Sequence, residues 1–170
     1  MDQITQSRIA LLHPKLRDEV TLIFTKLEAA LKGRAKVRLA QGLRTFEEQN
    51  ALYAQGRTKL FDAQGKKLGV VTKAKGGESY HNYGLAIDFV LYLDGKTASW
   101  DTLHDFDGDG KSDWLEVVEI FKQNGWGWGG DWKSFKDLPH VEKTFDLSVK
   151  TLLSMYNSGK FIPGTKYIQI

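Results

Sequence analysis

A run of apolar, β-rich residues, Leu85-Ala-Ile-Asp-Phe-Val-Leu-Tyr92, carries one aspartate inside it. Such a run reads as a buried strand. An unpaired carboxylate there costs several kcal/mol or so, and a bound cation would remove that cost. Whatever fold the chain adopts must therefore bring a partner to Asp88. Seven residues earlier, His81 stands in a loop, within Ser79-Tyr-His-Asn-Tyr-Gly-Leu-Ala-Ile-Asp88. A lone histidine or a lone buried aspartate is usually structural, so the pair acquires meaning only with further ligands.

The other elements follow from periodicity. Leu16, Val20, Ile23, Phe24, Leu27, Ala30 and Leu31 keep helical spacing after Pro14 and stop near Gly33. Residues 37–41 alternate as a short strand. Thr45 and Glu48 form a capping box that opens a second helix running to Gly56. Residues 57–77 are rich in Gly and Lys and read as a long loop, with a small hairpin at 63–65. Asp94-Gly95 signals a turn, 114–123 a helix, 140–142 a short strand and 147–155 a last helix followed by a tail. This order predicts one α+β domain spanning 1–170, with helices first and then a small, mainly antiparallel sheet.

At 170 residues the chain suits one core. It has no cysteine, which excludes disulfides, thiolate metal sites and cysteine nucleophiles; any metal must be held by His, Asp or Glu. The lysines and arginines of the first half, among them Lys32, Arg34, Lys36, Arg38, Lys66, Lys67, Lys73 and Lys75, lack interleaved aromatics. They read as a solvated surface rather than a nucleic-acid face. No stretch is apolar enough to span a membrane, and residues 1–12 lack the features of a secretory signal. The expectation is a monomeric protein made in the cytoplasm that reaches any external target only after release.

A second cluster, Asp137-Leu-Pro-His140, offers His140 as a candidate third ligand. His81, Asp88 and His140 with a water in the fourth position would make the open geometry of catalytic zinc. Asp137, three residues before His140, is placed to act on that water as a general base. The pattern S-x-H-x-x-G-x-A-x-D, followed by G-x-D-W and D-x-x-H, resembles the zinc D-alanyl-D-alanine carboxypeptidase and L-alanyl-D-glutamate endopeptidase family. The resemblance runs from about His13-Pro14 to about Leu147 and takes in Gly42-Leu-Arg-Thr-Phe-Glu-Glu-Gln49.

It implies a hedgehog- or DD-peptidase-like fold and hydrolysis of the peptide stems of bacterial peptidoglycan. His81, Asp88 and His140 would hold zinc and Asp137 would be the catalytic carboxylate. Arg44 would stabilise an oxyanion or hold a substrate carboxylate, and Ser79 and Gln49 would line the cleft. Within the family the chain looks most like phage or prophage endolysins that cut the L-alanyl-D-glutamate bond. D-Ala-D-Ala carboxypeptidase or dipeptidase action, and an inactive zinc-holding wall-binding module, are the alternatives.

Residues 105–116 fit a different metal template, the EF-hand loop. Asp105, Asp107 and Asp109 take positions 1, 3 and 5, Gly110 position 6, the Lys111 carbonyl position 7, Asp113 position 9 and Glu116 position 12. Calcium is the ion expected, either as a staple or as a gate beside the zinc site. A calcium-regulated structural or adhesion domain is a further alternative, resting on this loop alone. Trp126, Trp128 and Trp132 are expected to pack in the core rather than stack on sugars. Asp131 either orients a zinc-bound histidine or caps a turn, and His13 and His104 are expected at the surface.

Overall fold

The computed structural model describes all 170 residues. Five helices, α1 (Gln3–Ile9), α2 (Pro14–Ala30), α3 (Phe46–Ala54), α4 (Asp113–Gln123) and α5 (Val149–Asn157), surround one sheet. Its strands are β1 (Ala35–Gln41), β2 (Ala86–Leu93), β3 (Thr97–Ser99), β4 (Gly127–Trp128) and β5 (His140–Glu142). The order is β1-β2-β5-β4, with β3 also on β2, and every pairing is antiparallel. The α+β class is as expected. The strand expected at 37–41 is β1, and it precedes α3 as the order of the sequence patterns required.

Side-chain alternation divides the sheet into two faces. Leu85, Ile87, Phe89 and Leu91 join the hydrophobic core, together with Leu39 of β1 and Val141 of β5. Against them lie the stripe Leu16, Val20, Ile23, Phe24 and Leu27 of α2 and Trp114, Val117 and Phe121 of α4. Phe89 meets Trp114 with ring centroids 4.5 Å apart. The alternate residues Asp88, His140 and Glu142 therefore project from the other face, clear of the helical core. Asp88 is accordingly not sealed in apolar packing: its side chain is 22% exposed.

The turn at Asp94-Gly95 has positive φ at both residues, 50° and 66°, the backbone of a type I′ hairpin. The capping box at Thr45 and Glu48 is formed from both sides. The antiparallel bridge between Phe61 and Lys67 closes the small hairpin. No helix is long and apolar enough to cross a membrane.

Near the termini one helix was not foreseen and one expectation fails. α1, capped by Asp2 accepting from the Thr5 amide at 2.8 Å, has no apolar stripe that would announce it; only Thr5 and Ile9 turn inward. His13 is not a surface residue but 1% exposed. It caps α2, its Nδ1 accepting from the Lys15 amide, while Nε2 lies 2.9 Å from the Ile168 carbonyl. The segment after α5 is thus tied back to the body of the protein.

Candidate active site

Three donors converge on the free face of the sheet. Asp88 and His140 are direct partners in the β2–β5 ladder, so strand register alone sets them side by side. His81 comes from a one-turn 3₁₀ segment, Tyr80–Tyr83, that ends at Gly84 with φ +68°. A Cβ on Gly84 would lie 2.6 Å from the His13 amide nitrogen, so the turn requires glycine. His81 Nε2 lies 3.1 Å from Asp88 Oδ1 and 3.2 Å from His140 Nδ1, and His140 Nδ1 lies 3.1 Å from the same Asp88 oxygen.

The outer hydrogen bonds decide what can sit among these atoms. His81 Nδ1 is 2.7 Å from the Gly42 carbonyl, so it must carry the proton and donate it. His140 Nε2 is 2.9 Å from a Glu142 carboxylate oxygen and likewise donates. In the neutral rings that leaves two nitrogen lone pairs and one carboxylate oxygen facing one another, three acceptors with no donor. A cation resolves the conflict. The edges of 3.1–3.2 Å match a tetrahedron with bonds of ~2.0 Å, whose edges are ~3.3 Å, the size that zinc takes with nitrogen and oxygen. The residues fit the metal.

The electrostatics agree. Burial works to raise the Asp88 pKa, but His81 and His140 pull it far below the ordinary carboxylate range. Burial works to lower the His140 pKa, but its bonds to Asp88 and Glu142 hold it up at about 9. The corner is built to hold positive charge.

The triad opens into a cleft of about 460 Å³ lined by Arg44, Ser79, Trp132, Phe135 and Asp137, among others. Asp137 is fixed through its backbone: its amide donates to the Gly129 carbonyl, and its carbonyl accepts from the His140 amide, both at 3.2 Å. Its carboxyl is left to the cleft. Burial first, and then the charge of Asp88, push its pKa above the usual range.

Arg44 donates to the second Asp88 oxygen at 3.4 Å and to Gln49 Oε1 at 2.8 Å. Gln49, expected to line the cleft, is fully buried behind Arg44 instead. Its amide nitrogen donates to the Ala74 carbonyl and the Thr72 hydroxyl. It positions both the arginine and the far end of the 57–77 loop, which places Thr72 and Lys73 on the cleft wall. That loop gave no sign in the sequence of returning to the site.

Asp131 is paired with Lys122 at 2.6 Å and orients no histidine. Glu142 has that role. Strand alternation was the signal for it, since residues two apart on β5 share a face. The tryptophans divide between two roles. Trp126 is buried in the core and donates to Glu19, whereas Trp132 stands in the cleft with its ring 5.2 Å from that of His140.

The acidic loop lies elsewhere. Carboxylates of Asp105, Asp107 and Asp113 cluster, as do those of Asp107, Asp109 and Glu116. Lys111 sits on the exposed side of the loop, its amide donating to Asp109 at 2.9 Å. No helix enters the loop; α4 leaves it.

Residues 72–143, which hold all three triad residues and Asp137, match the family model described as D-alanyl-D-alanine carboxypeptidase. The peptidoglycan L-alanyl-D-glutamate endopeptidase CwlK of Bacillus subtilis (strain 168) is 52% identical over 131 residues, 77% of this chain and 72% of that protein. The chain belongs to the D-alanyl-D-alanine carboxypeptidase family of peptidases. An L-alanyl-D-glutamate peptidase of Listeria phage A118 is 39% identical over 64 residues, 38% of this chain and 20% of that protein, so the likeness to a phage relative is confined to that stretch. The family fold is recognisable in the L-Ala D-Glu endopeptidase ChiX of Serratia marcescens, with a TM-score of 0.54 at 22% identity, over 85% of this chain and 90% of that one.

Proposed function

We propose that the chain is a zinc peptidase that hydrolyses the L-alanyl-D-glutamate bond in the stem peptides of bacterial peptidoglycan. One observation carries the reading: two histidines and an aspartate present three unpaired acceptors to one point, at the edge of a cleft that also holds an unengaged carboxyl, Asp137. The choice of bond is supported by the 52% identity to CwlK.

His81, Asp88 and His140 would hold zinc, oriented by the Gly42 carbonyl and Glu142. When bound, the metal supplies Lewis acidity to the attacking water and the scissile carbonyl. Asp137 removes the proton of that water and returns it to the leaving amine. Arg44 brings a positive charge to the cleft for the developing oxyanion or a substrate carboxylate, and Ser79 lines the entrance. Calcium, at residues 105–116, completes the cofactor set. In this reading residues 1–170 act as one monomeric peptidase domain, made in the cytoplasm and active on the wall after release, as an endolysin is.

Turbidity loss of purified peptidoglycan, with zinc content measured in parallel, tests the proposal. Wild type should clear the wall. Asp137→Ala should keep its zinc and lose activity by ~10²–10⁴, the range for a general base. Mass spectrometry of the released peptides then identifies the bond. New L-alanine C-termini support the endopeptidase. Free D-alanine would move the assignment to a carboxypeptidase, the activity in the description of the matching family model. A zinc-loaded protein that leaves the wall intact would make it a binding module.

A further inference from the structure

The peptidase chemistry leaves residues 105–116 unused, yet three carboxylate oxygens there are buried without a hydrogen-bond partner: Asp107 Oδ1, Asp113 Oδ1 and Glu116 Oε2. Asp113 is 0% exposed, and leaving such an oxygen unsatisfied is costly. The other oxygens hold the loop in shape. Asp113 Oδ2 accepts from the Phe106 amide at 2.6 Å, and the two Asp105 oxygens accept from the Gly108 and Gly110 amides at 2.6 and 2.8 Å. Asp109 Oδ1 accepts from the Lys111 amide at 2.9 Å. The backbone bonds thus aim the remaining oxygens inward. Asp107 belongs to both groups of converging carboxylates and joins them into one site. Gly110, with φ +92°, makes the sharp turn the loop needs. A donor set made only of oxygen, from several carboxylates in a turn of backbone, suits calcium rather than zinc.

We propose that this loop binds one calcium ion, and that the ion clamps α4 to the corner between α2 and β1 without taking part in catalysis. Asp107 makes the junction. While Oδ1 points into the site, Oδ2 accepts from the Lys32 amide at 3.0 Å, just past the end of α2. Gly33 lies so close to the loop that an added Cβ would sit 2.6 Å from the Phe106 carbonyl oxygen and 2.7 Å from Asp107 Cα. On the other side, Asp113 and Glu116 form the first turn of α4. The clamp is remote from the cleft. β1 begins at Ala35, paired with Leu93, and Leu93 is five residues along β2 from Asp88, or ~16 Å at strand rise. That placement sets the loop away from the cleft and favours the staple over a gate beside the zinc site.

The test uses zinc-loaded protein freed of calcium with a selective chelator, then titrated with calcium or with magnesium as comparator. One calcium per chain should bind, and at a hundredfold excess over Kd the Tm should rise by roughly 5 °C or more. Asp109→Ala, at an exposed position the fold tolerates, should weaken calcium binding at least about tenfold and lose about half or more of the calcium-dependent rise in Tm. Asp113→Asn, which keeps its size, should do the same. Zinc content and the wall-clearing rate, read where the calcium-free protein is still folded, should change less than about twofold. No binding, or binding without a Tm rise, overturns the clamp. A rate or a zinc content that demands calcium in the folded protein overturns it in favour of a switch. Should the chain clear no wall at all, the peptidase reading falls, while titration, melting and zinc content still decide the clamp.

Discussion

The two metal-competent regions sit at opposite ends of β2 and are built in opposite ways. The triad corner draws His81, Asp88 and His140 from three separate segments, brought together by the Asp88–His140 register and by the turn before Gly84. Each histidine has one nitrogen fixed by an outer partner and the other left facing the cleft. The loop at 105–116 draws every ligand from twelve consecutive residues, and its backbone occupies the outward oxygens while the inward ones remain. A site assembled by the fold and open on one side is suited to chemistry; a site closed by its own loop is suited to holding structure. The contrast makes each end separately breakable.

The largest effect is expected from Asp88→Ala. It removes a ligand, the common partner of both histidines and the anchor of Arg44. Wall clearing should fall by more than the ~10²–10⁴ that losing the base alone costs. Unlike Asp137→Ala, this variant should also lose its zinc. The calcium-dependent rise in Tm should survive. Loss of both ions together would erase the distinction between the two ends.

Next comes Glu142→Gln. The amide can still meet the His140 Nε2 proton through its oxygen but no longer carries charge, so zinc affinity should weaken by ~10–100-fold, the usual effect of altering a partner behind a ligand. Competition against a chromogenic chelator reads it directly. Unchanged affinity would mean that the strand register alone orients His140.

The same contrast explains what could be read from the sequence. The capping box, the α2 stripe, the apolar strand and the contiguous acidic loop are local patterns, and each is found where its residues place it. The triad was readable because its residues occur in a family pattern, not because spacing reveals that 81, 88 and 140 meet. What stayed hidden depends on distant partners. Gln49 turns away from the cleft because Arg44, Thr72 and Ala74 satisfy its amide. His13 is buried because Ile168, 155 residues away, returns to it. Glu142 is the exception, since its two-residue spacing from His140 was legible on any strand.

Gly33→Ala probes the other end. The added methyl would press on the Phe106 and Asp107 backbone, which cannot yield as a flexible side chain would. Overpacking of this kind costs about 1–3 kcal/mol. Calcium should bind more weakly and Tm should fall, with the wall-clearing rate retained below the melting range. A variant that melts normally but clears slowly would connect the corner to the cleft after all.

The smallest effect belongs to a histidine outside both sites. His13 differs from His81 and His140 because both of its nitrogens already have protein partners, Ile168 and Lys15. The ring is therefore complete as a neutral group and has no lone pair for a metal. Burial first, then Lys15 and Arg17 nearby, lower its pKa below 6.5, outweighing the Ile168 bond. The unfolded chain then binds the proton more readily than the folded one in the window between the lowered pKa and 6.5. Stability must rise with pH through that window and be lost as pH falls. His13→Asn removes the titration while keeping an acceptor for the Lys15 amide. Urea midpoints of wild type and variant, compared between pH 5 and 8 with both metals saturating, should converge toward the acid side, because only wild type loses this contribution. Parallel curves would show that His13 titrates alike in the folded and unfolded chains.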